Sequence, residues 1–65
     1  MTVEEVIEMF TNPKKQRFNL WSNKKEDYIF SGYITELSKK RKKAIVTSID
    51  NVEFHSAIIN LNVDE

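Results

Sequence analysis

Apolar residues recur at helical spacing in the first dozen positions and at every second position soon afterwards. Val3, Val6, Ile7 and Phe10 fall at i, i+3, i+4 and i+7, one face of an α-helix. Thr2, followed three residues later by Glu5, has the form of a capping box, in which hydroxyl and carboxylate satisfy each other's backbone amides. Asn12-Pro13 ends the helix, because the residue before proline is pushed out of the α region. The spacing therefore predicts a helix over about residues 2–11.

Beyond the proline the period is two. In the stretch Arg17 to Trp21, Phe18 and Leu20 share one face of a strand and Asn19 takes the other. Ser22 to Lys25 reads as a turn, and Asp27 to Leu37 as a long second strand containing the only glycine. Tyr28, Phe30, Gly32 and Ile34 share a parity that Leu37 breaks, which predicts a bend or bulge near Ser31-Gly32. A polar reversal at Ser38 to Lys42 leads to a third strand, Lys43 to Ile49, and then a turn at Asp50-Asn51. Val52 to His55 predicts a fourth strand, Ser56-Ala57 a tight corner, and Ile58 to Val63 a fifth. The expected fold is mostly β: one domain over residues 1–65, with a short N-terminal α-helix followed by a five-stranded, strongly bent antiparallel small barrel over about residues 16–63.

Length changes this picture by making the core thin. Ordering 65 residues costs on the order of 100 kcal/mol, and burial in so small a body barely offsets it. The chain has no cysteine and one histidine, so neither a disulfide nor a structural zinc site is expected to help. Association of copies through strand edges, or a partner, is the expected supplement. A hydrophobic content of 40% marks a folding chain despite its many charges. Acids occupy the first residues where a signal peptide needs a basic region, and no apolar run has the length to span a bilayer, so a cytoplasmic protein without membrane contact is expected.

Charge is neutral in sum and segregated in sequence. All ten basic residues lie between Lys14 and Lys43 with only Glu26, Asp27 and Glu36 among them, a balance of +7, while both ends are acidic. A field of this kind steers polyanions to one face. Lys39, Lys40, Arg41, Lys42 and Lys43 form one run, expected at a hairpin tip, where cations can contact successive phosphates without reading sequence; a solvated turn that blunts an edge is the other reading. Lys14, Lys15 and Arg17 form a second cluster beside Trp21, a ring that could stack an unpaired base or cover an interface.

Catalytic chemistry has no assembled signature. His55 and Ser56 are strand neighbours whose side chains take opposite faces, poor geometry for proton transfer. Glu4, Glu5 and Glu8 have no histidine at ligand spacing, and a lone glycine rules out a phosphate-cradling loop. The expectation is a protein that is not an enzyme and uses neither cofactor nor metal.

A helix followed by five short strands, the second bent, is the element order of Sm-like and SH3-like small barrels. Phe18 to Trp21, Gly32-Tyr33-Ile34, Lys39 to Lys43 and Ile58-Ile59-Asn60-Leu61 follow one another as in the YolD-like family of Gram-positive bacteria and their mobile elements, which the chain resembles over most of its length. Phe54-His55-Ser56-Ala57-Ile58 is also similar to the Tyr-Lys-His-Ala-Ile stretch of the Hfq family of RNA chaperones, but His55-Ser56 replaces the lysine-histidine pair of the uridine site. The YolD-like resemblance implies an accessory role in DNA repair, stress or mobile-element biology. The expected function is therefore a non-catalytic binding module with electrostatic, non-sequence-specific nucleic-acid contact. The alternative is a phage- or plasmid-type module that binds a host protein through Val6, Ile7 and Phe10 of the helix or through Ile59 and Leu61 of an exposed last strand.

Overall fold

Thr2 and Glu5 form the capping box that their spacing predicts. The computed structural model describes residues 1–50 and 58–65. In it the Thr2 hydroxyl accepts from the Glu5 N–H at 3.3 Å, and the Glu5 carboxylate accepts from the Thr2 N–H at 3.0 Å. The backbone and hydroxyl of Thr2, in that order, hold the Glu5 carboxyl below its ordinary pKa. Helix α1 runs Val3–Glu8, shorter than the expected 2–11. Met9 and Phe10 donate to Val6 and Ile7, tight i−3 bonds that end the helix before Asn12-Pro13, and a 3-10 turn, Pro13–Lys15, follows.

Strand β1, Arg17–Ser22, alternates as expected, with Phe18, Leu20 and Ser22 buried. Strand β2 is Asp27–Gly32 and does not continue to Leu37. Gly32 has φ +150°, outside the range that side chains readily adopt, and there the chain leaves the sheet for a 3-10 turn, Ile34–Glu36. The bulge lies earlier than Ser31-Gly32: Leu20 faces Phe30 and Trp21 faces Tyr28, so Ile29 is the extra residue.

The basic run is not a hairpin tip. Lys39–Lys42 forms a single helical turn, α2, because Ser38 caps it: its hydroxyl accepts from Arg41 N–H at 3.3 Å and its carbonyl from Lys42 N–H at 3.0 Å. Lysine and arginine are good helix formers, so the cap converts a charged reversal into a turn of helix. Strand β3 is Val46–Asp50 and β4 is Ile58–Val63. The expected turn at Asp50-Asn51, strand Val52 to His55 and corner Ser56-Ala57 reach into or fall within residues 51–57, outside the described residues.

The four described strands form an open mixed sheet in the order β2-β1-β4-β3. β1 pairs antiparallel with β2, and β4 antiparallel with β3. The two hairpins meet in a parallel central pair whose register runs from Arg17↔Ile58 to Ser22↔Val63. A mostly β fold with a short N-terminal helix is thus present; among the described residues the sheet has four strands, is not closed, and has a parallel central pair where an all-antiparallel five-stranded barrel was expected. Part of one edge is covered, since Met1 and Val3 exchange backbone bonds with Val46 and Ala44 beside β3.

One face of the sheet carries the core. Phe18 and Leu20 of β1 and Ile59, Leu61 and Val63 of β4 pack beneath Val3, Val6 and Ile7 of α1, with Leu37 closing the side. Val6, Ile7, Ile59 and Leu61 are therefore at most 2% exposed, and Phe10 is half-buried. This overturns their expected role as a docking surface: α1 spends its apolar stripe on the sheet, and β4 is a central strand, not an edge. No helix among the described residues is long and apolar enough to cross a membrane.

Candidate nucleic-acid interface

Pro13 starts the first 3-10 turn with its fixed φ, and this turn exposes Lys14 and Lys15 side by side. It lies against the second 3-10 turn, Ile34–Glu36, while α1 lies against α2. Between these four pieces runs a groove of about 570 Å³. Lys14 and Lys15 line it on one side and Lys42 joins them from α2, although 26 residues lie between Lys15 and Lys42 in the sequence. Lys42 also lines an adjoining depression with Lys39, Lys43 and Glu4. The two basic clusters thus meet on the helix-bearing side of the sheet.

Not all of the basic residues join this surface. Arg41 turns inward: its Nη1 donates to the carbonyl of Ile29 at 2.9 Å, and its Nε lies 3.4 Å from the Glu65 carboxylate. The bulge at Ile29 takes that residue out of the sheet pairing, and the guanidinium provides its carbonyl with a donor. Arg41 is a structural clamp between α2, β2 and the residues after β4. Arg17 and Trp21 lie on the opposite sheet face, as their parity with Asn19 requires. There Trp21 packs edge-on against Tyr28 at 5.0 Å, and Asn19 donates to Asn60 at 2.9 Å across the parallel pair. The expected cluster of Lys14, Lys15, Arg17 and Trp21 is therefore split by the sheet, with the two lysines on one side and Arg17 and Trp21 on the other.

Among the described residues the one ion pair is Arg41–Glu65, so Lys14, Lys15, Lys39, Lys40, Lys42 and Lys43 are not neutralised by a carboxylate within 4 Å. Acids do share the groove. Glu4 and Glu8, one turn apart on α1, form part of its wall. Their i, i+4 spacing was the available signal that both would lie on one side of α1. Ile7, Pro13 and Ile34 contribute apolar lining.

The described residues contain no group of three or more histidine, cysteine, aspartate or glutamate side chains placed to hold a metal ion, and His55 lies outside them. Every buried side-chain nitrogen and oxygen among them has a hydrogen-bond partner. Ser22, fully buried, donates to the Glu65 carbonyl and accepts from Lys25 N–H at 3.1 Å. What the arrangement offers chemically is a set of lysine ammonium groups, with no ion-pair partner among the described residues, around an open, partly apolar groove that also holds Glu4 and Glu8. The chain matches no protein-family model, no curated protein and no solved structure.

Proposed function

We propose that this protein is a non-catalytic binding module that holds nucleic acid electrostatically on the side of the sheet that carries α1 and α2. The observation that carries the reading is the meeting of Lys14 and Lys15 with Lys42, and through it with Lys39 and Lys43, across one groove, with none of them ion-paired to another described residue. Clustered ammonium groups bind a phosphate backbone largely by releasing its condensed counterions, and such binding reads no sequence. The resemblance to YolD-like proteins would add an accessory role in repair or stress, but the proposal rests on the lysines.

Fluorescence anisotropy with labelled DNA and RNA over a salt series tests it. Affinity should fall with a log–log slope of about −0.7 per phosphate neutralised on single strands. Changing Lys14, Lys15, Lys39, Lys42 and Lys43 to glutamine should weaken binding to all sequences alike and flatten that slope, whereas Arg17→Gln, on the opposite face, should change little. Absence of binding at about 50 mM salt, where non-specific contacts are favoured, would sink the proposal.

A further inference from the structure

The groove is more than a row of cations, and its other walls bear on what can enter it. Its volume of about 570 Å³ falls within the range of small-ligand sites, roughly 300–1,000 Å³. Pro13 and Ile34, both half-buried, give it apolar surface over the fully buried Ile7, while Lys14, Lys15 and Lys42 share its walls with Glu4 and Glu8. A phosphate backbone lying along the groove would bring anions against those two carboxylates, at an energetic cost. A duplex has the further difficulty that its bases are stacked inside and present no flat face to apolar side chains.

A single unpaired nucleotide satisfies both signs. Its phosphate suits the lysines, its base covers the apolar surface, and the amino, imino or hydroxyl hydrogens of base and sugar are donors for Glu4 and Glu8. We infer that the groove between α1 and the two 3-10 turns receives one unpaired nucleotide of a single-stranded nucleic acid, with Lys39 and Lys43 guiding the neighbouring phosphates. This rests on the reading of the lysines as a phosphate-contacting surface and adds a preference that charge alone does not produce. Trp21 has no part in it, because its ring lies on the other face of the sheet against Tyr28.

The test compares three labelled probes of equal phosphate number at one salt concentration: a single strand, a duplex, and a single strand with abasic sites. The intact single strand should bind about tenfold tighter than the other two, the size expected when one base covers the apolar side chains of the groove. Ile34→Ala should abolish that preference and leave the salt slope unchanged. The wild-type comparison decides the matter even if this variant folds poorly. Emission of Trp21, excited where nucleic acid does not absorb, should stay constant during the titration. Equal affinity for all three probes would overturn the nucleotide site while leaving the electrostatic reading intact. Quenching of Trp21 would also overturn it, by moving the base to the opposite face. Absence of binding to any probe would remove the electrostatic reading itself.

Discussion

Replacing Arg41 with methionine should destabilise the domain by about 2 kcal/mol. Methionine retains most of the hydrocarbon stem, so the change isolates the polar contacts from the packing. The Ile29 carbonyl, 2.9 Å from Nη1, loses its guanidinium donor; hydrogen bonds to charged groups contribute roughly 1.5–3 kcal/mol, and partial solvation places this one toward the lower end. The ion pair to Glu65 is 3.4 Å long with side chains 32% and 26% exposed, and adds at most about 0.5 kcal/mol. For a domain of this size each kcal/mol shifts the melting temperature by about 4–8 °C, so a drop near 8–16 °C is expected. Urea denaturation followed by circular dichroism measures it, with Lys40→Met as the control. Lys40 is exposed on the same turn of helix, and its variant should stay within about 0.5 kcal/mol of wild type. If the two variants had equal urea midpoints, Arg41 would be one more free surface cation, and the separation drawn between structural arginine and binding lysines would fail.

Gly32→Val should cost about 1–3 kcal/mol by the same assay, since a Cβ there would lie 3.0 Å from a Glu36 carboxylate oxygen and 3.3 Å from the Phe30 ring at a φ of +150°. Gly32→Ala should reproduce most of that loss, and an unchanged midpoint for both would show that the backbone at this position is unstrained. Because folding holds the Glu5 carboxyl below its ordinary pKa, its contribution is present above the unfolded value and disappears as pH falls through the folded one. The difference in melting temperature between wild type and Glu5→Gln should therefore shrink between about pH 6 and pH 3, and a constant difference would refute the linkage.

Local signals in the chain carried through to the structure where one element could satisfy them. The cap formed by Thr2 and Glu5, the inward pair Phe18 and Leu20, and the strand from Ile58 to Val63 each depend on spacing within a few residues. The parallel pairing of β1 with β4 depends on residues about 40 positions apart, and no periodicity encodes it. Taking the last strand for an edge followed from assuming an antiparallel barrel, and it turned Ile59 and Leu61 into surface residues when they are core. Gly32 was legible as a break in β2, but the bulge at Ile29 was not, because an apolar residue there looks the same whether it is paired or extra. The site was half legible in the same sense. Lysine clusters announce themselves, whereas their meeting across a groove, and the withdrawal of Arg41 from among them, are properties of the folded chain.

The parallel central pair also sets when the protein can first become itself. Each hairpin can close from its own residues, but joining β1 to β4 ties Arg17 to Ile58, and closing a loop of that length costs about 3 kcal/mol in chain entropy beyond the constant term. During synthesis, some 30 residues separate the end of β2 from the end of β4, an interval of about 2–6 s at typical elongation rates. Throughout that interval Phe18, Leu20 and the apolar stripe of α1 lack the strand that completes their core. β4, which lies between β1 and β3 and brings Ile59, Leu61 and Val63, is thus the element on which completion of this core waits.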